Sequence, residues 1–595
     1  MAKDNYFEFK KLSINHFEGI NSKVGDNISK AAELSHAENI RSNTIGFLEK
    51  RKGSKLLGNT LTSPTNYGLY YFDNNNSSST GLFRITDVSG TISIYYLNDT
   101  DTWTSLADTD ASGLSAAEAS FTIAENNLFI ANGTDSNRYI KSDGTTVVTS
   151  ADSTGHLYNS PVANKISYYK DRLYLADYTV SGVGYPTSIM RSSYPLGIMA
   201  LVNNDVTAPA DNDEIKITET KYVYVSDTLD VYRGSNKVAT INIDEKGEDY
   251  IKLNGAPTFE TGFSDILSAD EIWPTGSHDG EKIFRWATSV DTGIEGMFYD
   301  SFKLTGGDGS PITLLEPVAK TLLIANKNNL AFWNGNNLQT LDVGIGCVSK
   351  KGYTKTFGSL FFLHYTGIYA ITSESPEIKS SKVDEYIEGA TTAGLEGAVM
   401  GSENKSIFCY IGDVTLYNDD NSINKQLSDV VLEYNIQQQN WFVHTDIPVK
   451  DFVVDGSTNK LQYINKTDGH VYTLLSGSVD KEGVDNEEIP CNLTTSNIYF
   501  TDNFETICYP REIIVEIKSG HNIKCFMSLD DREFRPLEGT LRKGCNILNV
   551  GEVENEYLRG RKMKISLREM SGSPFKVSKM SVMYSTSGER ENHTT

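Results

Sequence analysis

The sequence predicts an all-β chain: a β-propeller-like core with an inserted small β-domain and a C-terminal β-sandwich. Three features lead there. Between residues 307 and 383, short apolar runs at 320–325, 329–333, 359–363 and 368–372 alternate with Gly, Asn and Asp turns. A two-residue apolar period bounded by turn formers describes hairpin strands. The pattern recurs roughly 38 residues later, and a period near 40–45 residues with four short strands per unit describes propeller blades. Asn, Ser, Thr and Gly are abundant throughout, as many short connections require. Across the last 90 or so residues before 586 the alternation is regular and the local charge nearly balanced, the pattern of a sandwich.

Composition narrows the function classes. Of 595 residues, 38% are hydrophobic, with 32 Tyr and 25 Phe, enough for several cores. The net charge of −24 works against tight nucleic-acid binding, which needs Lys and Arg to displace phosphate counterions. It is compatible with a conduit through which DNA slides without sticking. The start, MAKDNYFEFKK, lacks a signal-peptide core, and no apolar run reaches the roughly 18 residues of a membrane span. Synthesis in a cytosol is the expectation. Cys347, Cys409, Cys491, Cys508, Cys525 and Cys545 form no CxxC and are expected reduced.

In chain order, alternation over 6–12 predicts an opening strand, and Gly19 and Asn21 a turn. Residues 31–39 are expected to form a short helix capped by Ser29, and 44–53 a strand with Gly46 and Gly53 at its turns. Strands are predicted at 68–72, 82–86, 91–97, 121–124, 128–131, 138–141, 166–170 and 172–176, with 99–118 a polar loop. A meander at 214–218, 221–225, 230–233 and 237–243 breaks the period. A short helix is expected at 383–389, and terminal strands at 512–518, 523–528, 532–537, 545–550, 562–568 and 576–584. The division is 1–200 for the N-terminal segment and first blades, 201–305 for the insert, 306–485 for the remaining blades, 486–586 for the sandwich and 587–595 for a frayed tail.

The ordered set Phe17, Gly19, Ile20, Asn21, Ala31, Glu33, Leu34, Asn39, Gly46, Leu48, Lys50, Arg51 and Gly53 resembles the N-terminal signature of bacteriophage tail hub and nozzle proteins. That family includes packaged-DNA stabilisation proteins and tail tubular protein B. Gly307, Gly346, Gly367 and Tyr369 extend the resemblance, which covers most of 10–480. These residues are read as structural: glycines at left-handed turns, and Arg51 fastening one segment to another. The resemblance implies a virion protein, six copies in a ring below the portal and adaptor, contacting other tail proteins. The ring would extend or close the DNA channel, retaining the genome and letting it pass without sequence-specific binding. Asp211, Asp213 and Glu214 are the channel-lining candidates. Contact with the host surface is a further expectation.

No constellation carries chemistry, so the expectation is no catalytic residue, no metal, no cofactor and no enzyme. Asp108-x-Asp110-x-Ser112 opens like a calcium loop, but position twelve is Ala119 instead of Glu. Ser528-x-Asp530-x-Arg532-x-Phe534 partly matches a sialidase Asp box without its turn Gly, and reads as a solvated hairpin. His364 sits among aromatics as a core or interface histidine. The basic clusters 50–52 and 559–562 are short, suiting an acidic partner subunit better than DNA. The rival from another class is a host-glycan-binding propeller, and after it a glycosidase.

Overall fold

Side chains at the hairpin starts set the turns. Asn326 accepts from the backbone N–H groups of Asn328 and Asn329, Asn334 from Asn336 and Asn337, Asn465 from Thr467 and Asp468, and Asp143 from Thr145 and Thr146. Such Asx turns satisfy the N–H groups left over where a strand stops, so a single Asn or Asp fixes where the chain reverses.

In the computed structural model these turns join short antiparallel strands. It describes all residues except 1–8, 22–31, 43–45, 153–154, 159, 194–198, 219, 221–222, 224, 226, 276–283, 285, 287–300, 305–308, 342, 373–374, 418–421, 502–505, 551–557 and 587–595. The chain divides into two compact units, Leu61–Cys347 and Met1–Thr60 with Val348–Thr595.

Leu61–Cys347 holds four meanders of four strands. The first runs Thr65–Tyr71, Ser79–Val88, Thr91–Asn98 and Trp103–Ser105; the second spans 120–149, and the fourth 314–341. Successive sheets pack face to face. Phe83, Ile85 and Ile94 of the first meet Leu128, Ile130 and Ile140 of the second in one buried cluster. Each such side chain contributes about 1.5–3 kcal/mol on burial. The third sheet takes Val162–Tyr169, Arg172–Val180 and Val183–Arg191, and its fourth strand, Ser301–Lys303, arrives more than a hundred residues later. Between them Ala200–Leu201, Glu214–Lys216, Thr228–Arg233, Asn236–Lys246, Tyr250–Leu253 and Glu271–Pro274 form a separate sheet with its own core, including Ile215, Val231, Ile241 and Ile251.

The other unit holds three more meanders. Tyr353–Thr356, Ser359–His364, Gly367–Ile371 and Glu377–Ile378 form one; 399–444 contributes the second. The third, Val449–Asp455, Lys460–Asn465 and Val471–Gly477, is completed by Gly53–Leu56 from the chain's start. Leu34–Glu38 joins the 399–444 sheet to the terminal strands, parallel to Asn440–His444 through Glu38 and Val443, antiparallel to Cys491–Thr495. Lys562–Glu569 and Lys524–Leu529 follow in that sheet. A second sheet weaves Lys10–Ile14, Ile40–Arg41 and Leu48–Lys50 with Cys508–Ser519, Gly544–Asn549 and Lys576–Thr586. The architecture is all-β and propeller-like, built on repeated four-stranded meanders.

Several expectations are corrected. The helix expected at 31–39 is a strand at Leu34–Glu38: Leu, Ala and Glu favour a helix locally, but sheet partners on both sides outweigh that bias. The loop at 99–118 contains the fourth strand Trp103–Ser105 and a 3-10 turn at Thr109–Ala111 that Asp108 caps through Asp110 N. The strand expected at 44–53 is two, Leu48–Lys50 and Gly53–Leu56, parted at Arg51 and Lys52. The helix at 383–389 is present as Asp384–Glu388, and Thr392–Glu396 adds another. Gly307, Ala31, most of 221–225 and the 587–595 tail lie outside the described residues.

Candidate functional site

The N-terminal motif residues meet at a buried joint. Strand Leu34–Glu38 ends at Asn39, whose φ of 57° is a left-handed conformation that Asn tolerates. Asn39 Nδ2 donates to Pro490 O at 2.9 Å and Thr445 Oγ1 at 3.1 Å, while its Oδ1 accepts from Arg51 Nε at 2.8 Å. Arg51, 2% exposed, donates Nη1 to Asp480 Oδ1 (2.8 Å) and Lys52 O (3.3 Å), and Nη2 to Asp480 Oδ2 (2.5 Å) and Thr445 O (3.2 Å). All five guanidinium donors are therefore used, the requirement for burying an arginine.

Backbone approaches close the joint. A Cβ on Gly53 would lie 1.9 Å from Val479 O, and one on Gly19 2.6 Å from Trp441 O. Asn21 Nδ2 donates to Glu33 Oε2 at 2.9 Å, Glu33 pairs with Lys382 at 3.1 Å, and Phe17 is buried. Gly46 is left-handed at φ 84°. In the meanders, Gly367 faces Ser380 Oγ, Tyr369 Oη lies 2.8 Å from Thr366 Oγ1, and Gly346 packs against Asn326 O. Lys50 also turns inward, to Glu569 at 3.1 Å, so the expectation that 50–52 forms a cluster for a partner subunit is corrected. Lys52 is exposed.

Beside this joint lies an ionic group that the sequence reading missed. Glu433, 1% exposed, accepts from Arg41 Nη2 at 2.7 Å and Ser406 Oγ at 2.7 Å, and bonds His444 Nε2 at 2.8 Å. Burial pushes the Glu433 carboxyl up, but Arg41, His444 and Ser406 outweigh it and hold it at about 2. Burial lowers the His444 pKa, and Glu433 only partly opposes this. Glu38 is likewise held at about 2: burial raises it, while His36 and Lys425 lower it further. The signal was a carboxylate inside an apolar run, Val430–Tyr434, at a position no solvated strand face explains.

The channel candidates lie on the 200–274 sheet. Asp211 Oδ1 accepts from Gly255 N at 2.7 Å, Asp213 Oδ2 from Ala210 N at 2.7 Å, and Glu214 is exposed on its strand. Stretch 201–275 carries fifteen Asp and Glu against six Lys and Arg. Among its described residues Asp205, Asp211, Glu214, Asp244, Glu245, Glu248, Asp249 and Glu260 are exposed, against Lys216 alone among the bases.

Elsewhere Asp108 and Asp530 serve local structure, accepting from Val147 N and from Arg561 N and Lys562 N. His364 is buried and bonds Thr366 Oγ1 at 2.8 Å. Among the described residues no group of three or more His, Cys, Asp or Glu is arranged to hold a metal, and no helix is long and apolar enough to cross a membrane. A 400 Å³ cleft is lined by Ser359, Phe361, Thr372, Glu377, Lys379, Tyr434 and Gln439, among others.

No protein-family model and no curated protein matches the chain. Among solved structures, YCF48 bound to D1 peptide is 8% identical, with 73% of this chain and 96% of that chain covered and a TM-score of 0.32. BamB from Moraxella catarrhalis is 10% identical over 70% of this chain and 98% of that one, TM-score 0.26. The exo-beta-1,3-galactanase of Phanerochaete chrysosporium is 9% identical over 80% and 97%, TM-score 0.22. Overlaps this loose say nothing of what the chain binds.

Proposed function

We propose that this chain is a structural hub or nozzle of a bacteriophage tail. It forms a ring that extends the DNA channel, retains the packaged genome and lets it leave. In this reading 201–305 is an inserted β-domain, and the sheets holding 486–586 are a C-terminal sandwich into which the N-terminal strands are woven. The observation that carries the reading is the charge of 201–275: among its described residues every exposed charged side chain but Lys216 is acidic. A wall of that sign repels phosphate and keeps sliding DNA from sticking. The motif joint supports it too, since its groups are spent on holding the fold. Charge reversal by Asp213→Lys with Glu214→Lys tests it. Slower DNA release from particles that assemble normally is expected; unchanged release kinetics remove these residues from the channel. Negative-stain images of purified protein are expected to show rings.

The 400 Å³ cleft favours a second reading, a host-glycan-binding propeller. Its lining combines the rings of Phe361 and Tyr434 with the hydrogen-bonding groups of Ser359, Thr372 and Gln439. A glycan array separates the two: specific binding lost in Tyr434→Ala favours this one, and no binding leaves the hub.

A further inference from the structure

The cationic side chains of the terminal strands collect on one sheet face. In Lys524–Leu529 and Lys562–Glu569 the residues Cys525, Met527, Met563, Ile565 and Leu567 point into the core. Alternation sends Lys524, Lys562, Lys564 and Arg568 to the opposite face, with Lys524 directly across from Arg568. Asp531 pairs with Lys562 and, at 3.6 Å, with Lys564. Lys524 and Arg568 have no ion pair among the described residues. The Arg568 guanidinium lies over the Phe526 ring at 4.4 Å, and its buried Nε makes no hydrogen bond. A cation without an ion pair, held over an aromatic ring beside a second such cation, is poised for an acidic partner.

The same chain supplies the complement. The end of strand Asn236–Lys246 and the turn that leads from it to Tyr250–Leu253 expose Asp244, Glu245, Glu248 and Asp249. Its lysines are occupied: Lys246 Nζ donates to Thr220 O and Val223 O, and Lys252 pairs with Glu245 at 2.7 Å. This turn lies at the opposite end of strand Tyr250–Leu253 from Asp211 and Asp213, which bond Gly255 N and, through the Asp213 carbonyl, Leu253 N.

We infer that the cationic face around Lys524 and Arg568 docks on the acidic 244–249 turn of a second copy of the chain. The inference rests on the proposed ring and names its contact. Two different patches meeting head to tail make a heterologous contact, which closes into a ring when the rotation permits. Charge pairs at such an interface set register and on-rate and weaken with salt. DNA fits this face less well, since two unpaired cations displace few counterions.

The test is self-association of the full chain by light scattering at low and high salt, with negative-stain imaging. Lys524→Glu and, separately, Glu248→Lys with Asp249→Lys are each expected to weaken assembly about tenfold or more. Both changes combined are expected to restore most of it. Lys524, Glu248 and Asp249 are exposed, so thermal melts matching wild type are expected and tie any loss to the contact. If Lys524→Glu melts early, the combined variant decides, because a folding defect is not rescued by charge reversal elsewhere. Rings that form equally in every variant overturn this contact and leave the hub standing. A wild-type chain that never self-associates removes both. Loss of single-stranded DNA binding in Lys524→Glu with assembly unchanged assigns the face to nucleic acid and overturns the inference.

Discussion

Two buried arginines, one in each unit, are kept by opposite means. Arg51 spends five donors on Asp480, Asn39, Thr445 and Lys52. Arg84, 1% exposed, has no carboxylate partner and no hydrogen bond at Nε or Nη2 among the described residues; its guanidinium lies over Trp103 at 4.2 Å and Tyr95 at 5.9 Å. Burial pulls the Arg84 pKa down to about 9, which still leaves it charged at neutral pH. A ring quadrupole returns up to about 2 kcal/mol to a desolvated cation, less than desolvation removes. Arg51 therefore holds its surroundings together, whereas Arg84 is tolerated by them.

That contrast breaks most visibly at Arg51. Arg51→Ala strands Asp480 without its partner and is expected to cost about 3–5 kcal/mol in chemical denaturation. Arg51→Lys is expected to recover little, because one ammonium cannot fill a five-donor site. Next comes Gly53→Ala, which leaves the charges intact but forces the strand off Val479 O. A loss of about 1–3 kcal/mol is expected, read as a lowered denaturant midpoint.

Acid titration weakens the buried ionic group beside Arg51 in two pH windows. The His444 pKa is depressed below its ordinary 6.5, so an unfolded chain takes that proton first and stability falls as pH drops below 6.5. Glu433 and Glu38, at about 2 when folded and near 4.5 unfolded, stabilise above 4.5 and lose that contribution as pH falls toward 2. Melting temperature followed from pH 7 to pH 3 is expected to decline in two stages, and Glu433→Gln to flatten the second. The smallest effect is expected at Arg84. Arg84→Met keeps the volume, removes an unpaired buried charge, and is expected to leave the denaturation midpoint unchanged or raise it by about 1 kcal/mol. A loss as large as that of Arg51→Ala would erase the distinction between the two sites.

The meanders were legible because their information is local. An Asn or Asp turn, an apolar alternation and a partner strand a few residues away occur together at Thr321–Ala325 and Leu330–Trp333, and the expected bounds differ by one residue. Leu34–Glu38 was illegible because its partners are Asn440–His444 and Cys491–Thr495, and nothing within it announces them. Trp103–Ser105 hid in a polar stretch because an edge strand needs few apolar residues. At the joint, Arg51 stood out through the family resemblance as a fastening residue, but a motif names one end of an ion pair. Asp480, Thr445 and Glu433 carry no local mark beyond polarity in the wrong place.

The dispersed pairing also sets a timetable for synthesis. Gly53–Leu56 leaves the ribosome early, yet its neighbour Val471–Gly477 follows some four hundred residues later. At roughly 5–20 residues per second the emerging segment waits tens of seconds with its edge unpaired. During that interval it is a natural client for a chaperone, and Val471–Gly477, once made, becomes the clasp that lets it rest.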